Sequence, residues 1–166
     1  MWLVSQLTYF TGNFYRDVKV KILKTNFLAH QSQTKFRLLP RGGLVIQIEQ
    51  TTYTTQDDDT VIVLTPAGRL DITTAWQFRL KLQECISKLS HHVVVNLGQV
   101  NFIDSSGLTS LVAGMRDADK VKGSFRICNV HSEAKLVFEV TMMDTVFEIF
   151  ETQEEALEGV PRSIAS

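Results

Sequence analysis

Cysteine is scarce in this chain, and the cysteines present are not grouped with other metal-binding side chains. Cys85 and Cys128 are the only two, and each lies inside its own apolar segment. Disulfide-stabilised scaffolds and zinc sites need more cysteines, or cysteines and histidines at close spacing. We therefore predict no metal site, and we expect two buried free thiols in a reducing compartment.

Long apolar runs are also missing. A membrane-spanning helix needs about 20 consecutive apolar residues, whereas the apolar runs here have the length of single strands. The N-terminal stretch lacks a basic region, and Ser5, Gln6, Thr8 and Thr11 interrupt its apolar part, unlike a signal peptide. We expect a cytoplasmic protein that is not stably inserted in a membrane.

Basic residues are concentrated in the first 43 residues. This stretch carries a net charge of +6, which leaves −7 for the rest of a chain whose net charge is −1. Nucleic-acid binding needs a clustered basic surface, so the acidic body argues against a nucleic-acid partner. Three interpretations of residues 1–43 remain open: a flexible basic extension, a few elements packed on the domain, or upstream sequence included through a wrong start site.

From residue 44 onward, the apolar pattern alternates between strand and helix periodicity. It predicts strands at 44–49, 61–66, 93–97, 125–130 and 146–150. Pro66 would end the strand at 61–66, and a turn would follow at 68–71. It predicts helices after the 68–71 turn, after Asp104, after Ser132 and at 154–157. We expect one α/β domain at 44–158, with a mixed, mostly parallel sheet of four to five strands and about four helices, and a tail at 159–166. The first two strands would form an antiparallel hairpin at one edge.

The segment Asp104–Leu108 lies at one of these transitions from strand to helix. Free N–H groups and partial positive charge at a helix N-terminus favour short polar residues there. Asp104, Ser105 and Ser106 can therefore be plain helix caps, with Gly107 allowing close packing. The alternative is that Ser105 is presented to a kinase, because a phosphate of about −1.5 to −2 charge would oppose a docked partner.

Motifs for catalysis are absent from the sequence. A hydrolase needs a nucleophile, a base and an oxyanion hole, yet Ser105 is not in a Gly-x-Ser-x-Gly elbow. His91, His92 and His131 fit surface or capping positions, and there is no glycine-rich phosphate loop. We predict neither catalytic residues nor a cofactor, and the chain would be a substrate of a kinase and not an enzyme.

Three segments together resemble the STAS domain of bacterial anti-sigma factor antagonists. They are Gly68–Asp71, Val94–Leu97 and Val100–Leu108, and the similarity covers about residues 44–158, including the order of the elements. Asp-Ser-Ser-Gly after a valine-rich strand is a fairly specific signal of this family. The resemblance implies a STAS-type domain.

The same resemblance implies roles for particular residues. Ser105 would be the phosphoacceptor. A partner would contact the surface at Asp71, Asp104, Ser106, Gly107 and Leu108. Arg69 departs from the family pattern, in which an acidic residue is common at this position.

The resemblance also implies the partners. They would be an anti-sigma factor that is a serine kinase of the GHKL ATPase type, and a phosphatase of the PP2C type. The unphosphorylated antagonist would bind the kinase and free a sigma factor, and phosphorylation would end that binding. The alternative is a STAS module without a phosphate, as a scaffold or an accessory subunit of a membrane transporter, and the intact Asp-Ser-Ser-Gly turn argues against it.

Overall fold

The computed structural model of this chain describes residues 45–54, 59–88, 90–158 and 160. The expected extension at 1–43 lies outside these residues, and so does the tail at 159–166 apart from Val160. The proposed domain boundaries therefore stay predictions. Within the described ranges, no helix combines the length and the apolar character that crossing a membrane requires.

Strands and helices alternate along most of the described chain. The strands are β1 (Gln47–Thr54), β2 (Thr60–Leu70), β3 (His92–Asn96), β4 (Val100–Ile103), β5 (Ser124–Cys128) and β6 (Glu148–Phe150). The helices are α1 (Ala75–Lys88), α2 (Ser105–Lys120), α3 (Ser132–Val140) and α4 (Gln153–Glu158), with a 3-10 turn at Met143–Thr145. This order confirms the predicted α/β class and the four helices.

The strands form one sheet in the order β1-β2-β3-β5-β6, and β4 pairs with β2 beside this path. β1 and β2 are antiparallel, whereas the other pairs are parallel. The mostly parallel sheet with a hairpin at one edge is therefore confirmed. β4 is a sixth strand that the apolar pattern did not reveal, because Asn101 and Phe102 in its centre are exposed.

β2 continues beyond Pro66, so the prediction of a strand end there and a turn at 68–71 was wrong. Pairing with β3 ends at Leu64, and pairing with β4 begins at Gly68. Pro66 lies in the gap between the pairing with β3 and the pairing with β4. Its missing N–H therefore removes no hydrogen bond to either of these strands. Gly68 has φ +90°, and the register with β4 shifts next to it, so the glycine forms a bulge within the strand.

The two faces of the sheet carry different cores. The larger one joins the sheet to α1, α2 and α3, and the apolar face of α1 lies in it, with Phe78, Leu82 and Cys85 fully buried. The smaller one lies under α4, where Val63, Val94 and Cys128 pack with Ala156. Cys85 and Cys128 are both buried free thiols, as predicted. Burial raises the pKa of the Cys85 thiol to about 11 and that of the Cys128 thiol to about 12.

Candidate functional site

Asp104 is the N-cap of α2. Its backbone is extended, and its Oδ1 accepts hydrogen bonds from the N–H groups of Ser106 at 2.7 Å and Gly107 at 3.0 Å. The cap predicted for this segment is therefore the aspartate carboxylate. Among the described residues, the hydroxyls of Ser105 and Ser106 form no hydrogen bond.

Ser105 is the first residue of α2 and is exposed, whereas Ser106 is half-buried. The next serine, Ser110, is buried and donates its hydroxyl hydrogen bond to the carbonyl of Gly107 at 2.6 Å. Ser105 is thus the more exposed of the two serines whose hydroxyls are free, and Ser106 is the less accessible one. Its own carbonyl accepts a hydrogen bond from the Thr109 hydroxyl at 2.7 Å, one turn further along the helix.

Gly107 and Leu108 hold the start of α2 against the sheet. A Cβ atom at Gly107 would lie 2.2 Å from the carbonyl oxygen of Leu70 and 2.8 Å from a side-chain carbon of Ile103. Leu108 is 7% exposed and belongs to the larger core. Both residues therefore fix the position of the helix, and their contact with a partner stays a prediction.

Asp71 organises the loop between β2 and α1. Its Oδ1 accepts hydrogen bonds from the Thr73 N–H at 3.0 Å and the Thr73 hydroxyl at 2.6 Å. Its Oδ2 accepts one from Arg69 Nε at 2.8 Å. The hydrogen bond from the Thr73 hydroxyl, followed by that from Arg69, lowers the pKa of Asp71 to about 2. The carboxyl group is therefore ionised at any physiological pH.

The Asp71 loop and the Asp104 turn meet at the carboxyl ends of β2 and β4. The N–H of Ile72 donates a hydrogen bond to Asp104 Oδ2 at 3.2 Å, and the N–H of Asp104 donates one to the Leu70 carbonyl at 3.3 Å. Two segments about 30 residues apart in the sequence are thus joined at one place. Ser105 lies beside that junction.

An exposed apolar stripe starts at the same junction, and sequence reasoning missed it. It consists of Ile72, Trp76 and Leu80, which are 76%, 50% and 53% exposed. Trp76 and Leu80 are four residues apart on α1 and lie on the side away from its buried face, and Ile72 precedes them by the same spacing in the loop before the helix. Phe102 of β4 is also exposed, and the guanidinium carbon of Arg69 lies 3.9 Å from the centre of its ring.

The histidines belong to other parts of the molecule. His92, at the start of β3, is buried, with Nδ1 2.9 Å from the Ser124 hydroxyl oxygen. His131 precedes α3, and its Nε2 lies 2.6 Å from the carbonyl oxygen of Gly98. In the part of the chain that the structure describes, no group of three or more His, Cys, Asp or Glu side chains could hold a metal ion.

Comparison with known proteins relates this chain to one family. The model of the STAS domain matches residues 52–156, well over half of the chain. A Thermotoga neapolitana protein, provisionally named as an anti-sigma factor antagonist, is 29% identical over 101 residues, which cover 60% of this chain and 89% of that protein. The anti-sigma F factor antagonist of Paenibacillus polymyxa is 24% identical over 98 residues, or 58% of this chain and 84% of that protein.

The fold has solved counterparts. The crystal structure of an anti-sigma factor antagonist from Mycobacterium paratuberculosis superposes with a TM-score of 0.58 at 22% identity. The superposition covers 68% of this chain and 93% of that one. At this identity the likeness shows a shared fold.

Proposed function

This chain belongs to the STAS domain family, and we propose that it acts as an anti-sigma factor antagonist that a serine kinase controls through Ser105. The observation that carries the proposal is the exposed Ser105 hydroxyl on the capped start of α2, beside the exposed stripe of Ile72, Trp76 and Leu80. An accessible hydroxyl and an exposed apolar surface therefore adjoin. The names of the relatives support the same role.

The proposed chemistry needs one group from this chain. A kinase of the GHKL type, which is also the anti-sigma factor, would bind ATP. Ser105 Oγ would attack the γ-phosphorus, so that the new O–P bond forms as the bond to ADP breaks, and the hydroxyl proton passes to a base of the kinase. A phosphatase of the PP2C type would hydrolyse the ester, which restores the serine and releases inorganic phosphate. The chain itself is the substrate and not the catalyst, and the supply of ATP places the exchange in the cytoplasm.

The phosphate would act on binding more than on folding. At a helix N-terminus an anion is stabilised by about 0.3–1 kcal/mol, so the fold tolerates it. A partner docked over Ser105 would have to desolvate about −1.5 to −2 charge, next to the carboxylate of Asp104. A loss of about 3 kcal/mol lowers affinity roughly a hundredfold. The unphosphorylated chain would therefore hold the kinase and free the sigma factor.

The test is phosphorylation by a GHKL serine kinase of the same organism in the presence of ATP, followed by intact-mass measurement and peptide mapping. The wild-type chain and Ser106→Ala should each gain one phosphoryl group at Ser105, and Ser105→Ala should gain none. The Ser105→Ala chain should also keep its affinity for the kinase after incubation with ATP, whereas Ser105→Glu should bind more weakly. Phosphate on Ser106, or equal labelling of Ser105→Ala, would contradict the proposal.

A further inference from the structure

Arg69 has unused hydrogen-bonding capacity at the edge of the Ser105 site. Its Nε donates to Asp71 Oδ2 at 2.8 Å, while its side chain stays 53% exposed. Its Nη1 and Nη2 atoms form no hydrogen bond within the described residues. The guanidinium lies over the exposed ring of Phe102, with its carbon 3.9 Å from the ring centre. The aromatic ring therefore packs against the guanidinium group and helps to hold it in place.

Strand pairing and loop contacts connect Arg69 to the turn that carries Ser105. Arg69 of β2 stands opposite Phe102 of β4, and Ser105 follows Phe102 by three residues, which span at most about 10 Å. On the other side, Arg69 binds Asp71, whose neighbour Ile72 donates its N–H hydrogen bond to the carboxylate of Asp104. Arg69 thus contacts β4, which leads into the Asp104 turn, and Asp71, whose loop is hydrogen-bonded to Asp104.

The negative charge around phosphorylated Ser105 would favour a nearby cation. The carboxylate of Asp104 precedes Ser105, and that of Asp71 lies in the loop bonded to Asp104. A phosphate would add about −1.5 to −2 charge to this acidic region. A guanidinium presents paired N–H groups in a planar fork that matches phosphate oxygens, which an ammonium group cannot do. Arg69 already binds one of the two carboxylates through Nε, and its exposed Nη atoms are available to a further ligand.

We propose that Arg69 binds the phosphate of phosphorylated Ser105 through its Nη atoms, while Nε stays with Asp71. This inference rests on the proposed phosphorylation of Ser105. It makes Arg69 a phosphate-binding residue of the phosphorylated state. The phosphate would then be partly neutralised inside the chain, and the surface of Arg69 and Phe102 would change its shape and charge when Ser105 is modified.

The test titrates a phosphoserine that is built into position 105 during translation, so that no kinase is needed. Phosphorus NMR gives the second pKa of the phosphate, which is about 6 for a free phosphoserine. A guanidinium in contact favours the dianion, so the phosphate pKa should be at least about half a unit higher in Arg69→Gln than in the wild-type chain. Arg69→Lys keeps the charge without the fork and should give an intermediate value.

Arg116→Gln is the matched control, because Arg116 is exposed on the same helix about 16 Å further along its axis. Its phosphate pKa should equal that of the wild-type chain. Equal values in Arg69→Gln and the wild-type chain would overturn the proposal, and so would an equal shift in Arg116→Gln. Failure of the kinase assay would contradict phosphorylation of Ser105 but leave this titration interpretable, so the two proposals fail separately.

Discussion

The carboxylate of Asp104 binds the N–H of Ile72, 32 residues earlier in the chain, at 3.2 Å. Its other oxygen caps α2 at Ser106 and Gly107. One side chain therefore fixes both the helix that presents Ser105 and the loop that begins the exposed apolar stripe. The two parts of the proposed docking surface depend on the same residue.

Replacement of Asp104 should lower stability through the lost cap. Asp104→Ala should reduce the free energy of unfolding by about 1–2 kcal/mol, measured by urea denaturation. Asp104→Asn keeps a capping oxygen and should recover most of that loss. Asp119→Ala, at an exposed position in the last turn of the same helix, should change stability by less than about 0.5 kcal/mol. Equal stability of Asp104→Ala and the wild-type chain would contradict the capping role.

Gly107 should not tolerate a side chain. In Gly107→Ala the new Cβ would meet the backbone oxygen of Leu70 at 2.2 Å, so the start of α2 or the end of β2 must move. We expect a loss of about 1–3 kcal/mol in the free energy of unfolding, measured by urea denaturation. Gly114→Ala in the same helix meets only side-chain atoms, and alanine favours the helix by about 1 kcal/mol, so it should lose less. A Gly107→Ala chain as stable as Gly114→Ala would disprove the close approach.

Features with a local apolar pattern could be predicted from the sequence. Phe78 and Leu82 mark the buried face of α1 because their spacing matches the helical repeat. β4 could not be predicted from the apolar pattern, because the two residues in its centre are exposed. Its place in the sheet depends on pairing with β2, some 30 residues earlier.

The candidate site shows the same limit. The turn at Asp104 has a local signature, and so has the segment that ends at Asp71. The contact between Arg69 and Phe102 has none, since it follows from the register of two strands that are distant in sequence. The stripe that includes Trp76 has helical spacing, but a helix with two apolar faces does not reveal which of them the sheet will cover.

Acid should weaken the loop that Asp71 organises. The folded pKa of about 2 lies below the ordinary value for aspartate, so the ionised form stabilises the fold. This contribution is fully present above about pH 4 and is lost as the pH falls toward 2. The melting temperatures of the wild-type chain and Asp71→Asn should therefore differ at pH 5 to 7 and converge between pH 4 and 2. A difference that stays constant down to pH 2 would contradict the role of the carboxylate.

Substitutions in the exposed stripe should affect binding more than folding. Trp76 and Leu80 are about half exposed, so Trp76→Gln and Leu80→Gln should change the free energy of unfolding by less than about 1 kcal/mol. If the kinase docks here, each should weaken its binding to the unphosphorylated chain at least about tenfold, because large apolar side chains dominate such contacts. Isothermal titration calorimetry with the kinase measures the affinity.

A matched substitution elsewhere separates docking at the stripe from a general loss of surface apolarity. Leu136 on α3 is 60% exposed, and Leu136→Gln removes a similar apolar side chain at a different helix. Its affinity for the kinase should equal that of the wild-type chain. The reverse pattern, with Leu136→Gln weakened and Trp76→Gln unaffected, would place the docking surface on α3. That result would remove the link between the stripe and Ser105, because a partner on α3 would not cover the junction at which Ile72 and Asp104 meet.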